Sequence, residues 1–283
     1  MRTFLRALAL LMLLPLLGLA GLASAAPGPT GAAPFRIGVA PHSSARVILE
    51  MYQPLRLYLE KALEHPVEIV TAPDFTEFAR RALAQQYDMA ITTGHQARLL
   101  QTDAAYRPLL TYQNDFKAVA LVGPDSDYRN PQDLNGKPVI GLSASSLVTL
   151  WGQHWLIRNS VSNTTMRYVS ASDSVGQLLL KGEGSVGFMS LANFQNLQPA
   201  MRDRLRVVAE SLPMAGRVYV LNQRHTKRYD EILAHLRAFA DTPEAKQYFN
   251  RYNLGGYRAL EPRELVALEP YANEVRLALK QGK

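Results

Sequence analysis

Between residues 35 and 92, short apolar runs alternate with longer helical stripes, and this alternation constrains the fold more than any other feature of the chain. Residues 35–40 (FRIGVA) read as a strand that ends at Pro41. Residues 45–63 then carry Val47, Ile48, Met51, Leu55 and Leu59 at the spacing of one helix face, crossed by Pro54. Residues 67–70, 75–85 and 89–92 continue as strand, helix and strand. Strands joined by crossover helices form a parallel sheet covered by helices, so the expectation is an α/β fold.

The pattern is played a second time. A strand is expected over 112–122, followed by a turn-rich segment at 131–136 and a strand opening at Val139. Strands at 166–169, 186–189 and 205–209 and a helix at 175–180 follow, and residues 217–221 (RVYVL) form the last clear strand. From Tyr229 the chain turns helical, with helices expected over 229–240, 243–252 and 262–280. With 283 residues, 47% of them hydrophobic, the chain can fill two cores. Two α/β lobes joined by extended crossings at 117–122 and 217–221 suit a hinged clamshell.

Residues 139–156 (VIGLSASSLVTLWGQHWL) read as strand, tight loop and helix. A helix that begins at Ser145 or Ser146 leaves its first N–H groups without intrahelical partners, which serine hydroxyls cap. Such a terminus also attracts anions, because free N–H groups and the positive end of the helix dipole converge there. Capping alone and ligand binding both remain open for this loop.

Ligands of open α/β sheets lie beyond the carboxyl ends of the strands. That rule marks His42, Ser43 and Ser44 after the first strand, Thr92, Thr93 and His95 after the third, and Ser190 with Asn193 after the strand at 186–189. Tyr52 falls in the first helix, Ser143 and Thr149 flank the serine loop, and Trp151 and His154 have the spacing of core positions. Histidine near neutral pH can donate or accept, so His42 and His95 suit a polar ligand.

The first 25 residues form a separate unit. Arg2 and Arg6 precede an apolar run, and Ala23, Ser24 and Ala25 give a cleavage pattern, so residues 1–25 are expected to be a secretory signal peptide removed on export. An uncleaved anchor is the rival, although the apolar run is short for a membrane span. The chain has no cysteine, which excludes disulfides, thiolate metal sites, a cysteine nucleophile and a lipidated cysteine after the leader. The formal charge of +7 is spread along the sequence without basic runs, giving little support to a nucleic-acid role.

Several segments resemble the phosphate/phosphite/phosphonate substrate-binding proteins of ABC transporters. They are YQPLRLYLEKAL (52–63), PVEIV (66–70), FARRALAQQYDMAITTGHQARLLQ (78–101), DLNGKPVIGLSASS (133–146) and DTPEAKQYFNRYNLGGYRAL (241–260). The resemblance implies a type 2 periplasmic-binding-protein clamshell, with residues 34–118 and 216–283 as lobe 1 and 119–215 as an inserted lobe 2. It also implies capture of a small anionic ligand by a periplasmic monomer that delivers it to a permease, without a cofactor or metal. Phosphonate binders of this family use a Ser-Thr-Ser loop that falls here on Ser145, Ser146 and Leu147, so the third hydroxyl is missing. An aromatic frequent in the family would fall near Thr93, whereas Thr93, Gly94 and His95 resemble a related branch. No Asp or Glu stands out as a partner for a ligand amine.

No GxSxG, HExxH or GxxxxGK[ST] occurs, and the six histidines are dispersed, so no catalytic grouping is read from the sequence. Two other roles fit the same clamshell. One is an enzyme of the menaquinone or thiamine pathway type, against which the export signal argues; the other presents a ligand to a sensor kinase or chemoreceptor.

Overall fold

The computed structural model describes residues 33–281, and the expected signal peptide lies outside them. The first sheet grows from β1 (Phe35–Val39), α1 (Ala45–Ala62), β2 (Val67–Thr71), α2 (Phe75–Leu83), β3 (Met89–Thr93), α3 (Gly94–Asp103) and β4 (Arg107–Tyr112). The chain then enters a second sheet through β5 (Ala118–Val122), β6 (Pro138–Gly141), α4 (Leu147–Arg158), β7 (Thr165–Tyr168) and α5 (Ser172–Leu180). That half closes with β8 (Val186–Ser190), α6 (Leu191–Gln195), α7 (Pro199–Arg202) and β9 (Arg206–Glu210). It returns to the first sheet with β10 (Arg217–Leu221), then α8 (Tyr229–Ala240), α9 (Pro243–Arg251), β11 (Tyr257–Arg258), α10 (Pro262–Val266) and α11 (Glu269–Lys280).

The six-stranded sheet has the order β11-β4-β10-β3-β1-β2 and the five-stranded sheet β7-β6-β8-β5-β9. β1 runs parallel to β2 and β3, while β10 returns antiparallel between β3 and β4. The expectation of a parallel βαβαβ opening is met, because each helix is long enough to carry the chain back across the sheet.

Alternation along each strand sorts the cores. Ile37, Val39, Met89, Ile91, Tyr219 and Leu221 face α1, α8 and α9 in one cluster. Ala90, Val218 and Val220 face the opposite way, into a cluster that takes in α2, α3 and α11 and continues into lobe 2 through Leu147, Trp151 and Phe188. The far side of the second sheet packs Val119, Leu121 and Ile140 under α5.

Two expected elements differ, and two short helices are added to those expected. The strand expected over 112–122 is two strands, because residues 113–117 leave the first sheet and cross to the second. The crossings therefore precede β5 and β10, and Phe116 and Met214 bridge one to the other. The helix expected over 262–280 is broken at Ala267 and Leu268, since Pro270 has no N–H for a continuous helix and sits in the first turn of α11. α6 and α7 are further helices in a segment left without helix.

Gly94 sets how closely α3 approaches the returning crossing. Its N–H donates to the Ala215 carbonyl at 3.2 Å, and a Cβ at this position would lie 2.4 Å from the same oxygen. Only glycine lets the start of α3 come that close to the returning crossing.

Candidate functional site

The parallel strands of lobe 1 end on the edge that faces lobe 2. β3 ends at Thr93, and because β10 is antiparallel its first residue, Arg217, lies directly opposite Thr93. Paired residues project from the same face of a sheet, so Thr93 and Arg217 share the face of Tyr219 and of α1. Arg217 Nη1 lies 3.9 Å from Met51 Sδ. The groups around its guanidinium are the phenols of Tyr52, Tyr112, Tyr248 and Tyr219, and among the described residues no ion pair engages it. A half-buried arginine without a carboxylate is costly to keep unless something anionic completes it.

The phenols form their own network. Tyr112 Oη is 2.7 Å from Tyr219 Oη and hydrogen-bonds Tyr248, and Tyr219 Oη is 2.9 Å from Tyr257 Oη. Burial pushes Tyr112, Tyr219 and Tyr248 well above the usual phenol range, so all three are neutral donors and acceptors. The Tyr52 hydroxyl is fully buried beside Tyr112, Tyr248 and Arg217, and none of them stands at full hydrogen-bond geometry to it.

His42 follows β1, with its ring edge against Tyr52 at a centroid distance of 6.1 Å. Burial first, and then the charge of Arg217, hold its pKa well below the ordinary histidine value. His95 is fully buried in the first turn of α3, and desolvation lowers its pKa to about 4 despite the hydrogen bond to Ser145. Both rings are neutral at pH 7.

From lobe 2, β6 ends at Gly141 and α4 begins at Leu147 with Ser146 as its N-cap. The Ser146 hydroxyl accepts from the Thr149 N–H at 3.4 Å and donates to Thr149 Oγ1 at 2.8 Å. The capping reading thus describes Ser146, and helix geometry leaves the Leu147 and Val148 N–H groups without intrahelical acceptors. Ser145 joins the lobes: its carbonyl accepts from His95 Nε2 at 3.0 Å, and its hydroxyl lies 3.0 Å from Thr76 Oγ1. Farther along α4, His154 hydrogen-bonds Glu274 of α11 and Trp151 is buried.

The structure therefore brings His42, Tyr52, Thr93, His95, Ser143, Ser145, Ser146 and Thr149 to the two facing sheet edges. Buried atoms with no partner concentrate there: His42 Nε2, Tyr52 Oη, Thr93 Oγ1, His95 Nδ1 and Ser143 Oγ. Such atoms are uncommon in folded proteins and call for a partner. The remaining expected residues sit differently. Thr92 points to the opposite face of β3, where its hydroxyl is spent on Gln96 at 3.1 Å. Ser43 and Asn193 are exposed. Ser44 caps α1, and Ser190 caps α6 by accepting from the Asn193 N–H at 3.1 Å.

Sequence reasoning missed Arg217 and Thr76. Arg217 had a signal: in RVYVL, period-two alternation puts it on the same face as Tyr219 and Leu221, an odd place for a cation. Thr76 had none, because its contact with Ser145 spans 69 positions. Among the described residues no cluster of His, Asp or Glu could hold a metal ion, and no helix is long and apolar enough to cross a membrane.

A family model described as the phosphonate periplasmic substrate-binding protein of ABC transporters matches residues 37–265. Among solved structures, XAC2383 from Xanthomonas citri superposes with a TM-score of 0.75 in both its chloride-bound and ATP-bound forms. It is 22% and 21% identical, and the matches cover 86% and 87% of this chain and 98% of XAC2383. PhnD1 from Prochlorococcus marinus, in complex with methylphosphonate, gives 0.73 at 13% identity, covering 86% of this chain and 98% of its own. PA3383 from Pseudomonas aeruginosa, a binding-protein component of an ABC phosphonate transporter, gives 0.69 at 14% identity, covering 87% and 89%. No curated protein sequence matches the chain. At these identities the solved structures establish a common fold, that of type 2 periplasmic binding proteins.

Proposed function

Because the chain belongs to the periplasmic phosphonate substrate-binding family of ABC transporters, we propose that it captures a small oxyanion of the phosphonate, phosphite or phosphate class in the cleft between its lobes and delivers it to a permease. The observation that carries the reading is Arg217, an unpaired cation on the inner edge of lobe 1, opposite Thr93 and beside His42 and Tyr52, whose buried Oγ1, Nε2 and Oη atoms have no partner. An anion seated there would meet one full positive charge, the hydroxyls of Tyr52, Thr93 and Ser143, and the dipole end of α4. That methylphosphonate occupies the related PhnD1 supports the same class of ligand here.

In this reading residues 1–25 are removed on export, and the mature chain works in the periplasm as a monomer. Residues 34–118 with 216–283 form one jaw and 119–215 the other, opening at the paired crossings. Its part is binding and release, without turnover.

A thermal-shift screen of the mature chain with phosphate, phosphite, methylphosphonate and sulfate tests this. A ligand that binds only the folded state raises the melting temperature, by about 2.7 kcal/mol of added stability at one hundred times its Kd. No shift with any of these anions would refute the reading.

A further inference from the structure

Carbonyl oxygens only accept hydrogen bonds, so the partners of the two cleft histidines fix their tautomers. His95 Nε2 lies 3.0 Å from the Ser145 carbonyl oxygen, and His42 Nδ1 lies 2.9 Å from the Ala40 carbonyl oxygen. Each of these nitrogens therefore carries the ring proton. In a neutral imidazole the other nitrogen then holds a lone pair, which makes His95 Nδ1 and His42 Nε2 acceptors.

Both acceptor atoms are buried and neither has a partner. A desolvated acceptor requires a donor, and a ligand can bring one as an ammonium or as a hydroxyl. Arg217 stands beside His42 with no carboxylate to offset it, which disfavours an ammonium. What remains is an anion that keeps a proton on one of its oxygens.

We propose that the cleft recognises a singly protonated tetrahedral oxyanion, Arg217 taking its negative charge and His42 Nε2 accepting the hydrogen bond from its P–OH group. His95 Nδ1 is a second buried acceptor without a partner. The proposal rests on the oxyanion-binding reading and narrows it: phosphonates, phosphite and phosphate retain such a proton in mildly acidic solution, while sulfonates and sulfate do not.

Methylphosphonate monoanion and methanesulfonate share shape and charge and differ in that one proton. Calorimetric titration of the wild-type mature chain with each at pH 6, where methylphosphonate keeps one proton and methanesulfonate keeps none, isolates its effect. A site built to pair with a ligand hydroxyl strongly rejects the analogue lacking it, so methylphosphonate should bind about a hundredfold or more tighter. In H42Q, whose amide can turn to present a donor, that ratio should fall below about tenfold. Equal or tighter binding of methanesulfonate by the wild-type chain would overturn the proposal and leave the oxyanion reading standing. A large ratio unchanged in H42Q would overturn the role of His42. Failure to bind phosphate, phosphite or either methyl compound would overturn both readings.

Discussion

His95 and Ser145 meet where the two lobes touch, the buried imidazole donating through Nε2 to the Ser145 carbonyl at 3.0 Å. The donor opens a lobe 1 helix, and the acceptor precedes the cap of a lobe 2 helix. The contact between the lobes is thus accepted by a backbone oxygen, which no substitution of Ser145 removes. Thr76 adds a side-chain contact to the same residue.

A buried hydrogen bond of this kind contributes about 0.5–1.5 kcal/mol, enough to bias an open–closed equilibrium without fixing it. In His95→Ala the ligand-free protein should therefore populate the open form more. Small-angle scattering would report a larger radius of gyration than for the wild type; an unchanged radius would show that the seam does not depend on His95.

Replacing Ser145 and Ser146 together by alanine removes the contact with Thr76 and the cap of α4. Loss of an N-cap costs about 1 kcal/mol of stability. Ligand affinity should fall by about 1 to 3 kcal/mol, because the loop loses the hydroxyl contacts that hold the Leu147 and Val148 N–H groups at the start of α4 in place for the anion. Denaturant unfolding and calorimetry measure the two effects separately, and an unchanged Kd would move the ligand away from this loop.

Far from the cleft, Asp88 anchors the start of the sheet to the segment after β10. Burial alone would raise its pKa. The hydrogen bond from His225 at 2.5 Å, the Arg36 N–H at 2.7 Å and Arg224 outweigh burial and bring the pKa to about 2. An unfolded aspartate titrates near about 3.9, so the folded state favours the carboxylate. Its contribution, about 2 to 3 kcal/mol, is complete above that value and is lost as pH falls toward 2. Asp88→Asn should be less stable than wild type by about that amount at pH 7, with the gap narrowing between pH 4 and pH 2. A gap independent of pH would contradict this account.

Much of this architecture is legible in the chain because strand and helix periods are local properties. β10 is read at its observed bounds, and the cap of α4 is Ser146, one of the two serines that the capping argument marks. The split between β4 and β5 is not legible, since residues 113–117 leave one sheet for another according to partners such as Gly256 and Met214, distant in sequence. The serines of the loop draw attention by composition, yet the geometry spends Ser146 on a cap and Ser145 on the seam. Arg217 is marked in the sequence only by its odd place in the RVYVL alternation, and its role becomes readable once its surroundings prove to be phenols. A charge with no partner is a three-dimensional fact.

The central claim is that Arg217 holds the ligand's charge in the cleft, and calorimetric titration of methylphosphonate into the wild-type chain and Arg217→Met tests it most directly. Hydrogen bonds to charged groups are worth about 1.5–3 kcal/mol, so the variant should bind at least about tenfold more weakly. Its ligand-free melting temperature should rise, because a half-buried cation without a carboxylate is removed. A Kd unchanged by the substitution, alongside wild-type binding, would contradict the account.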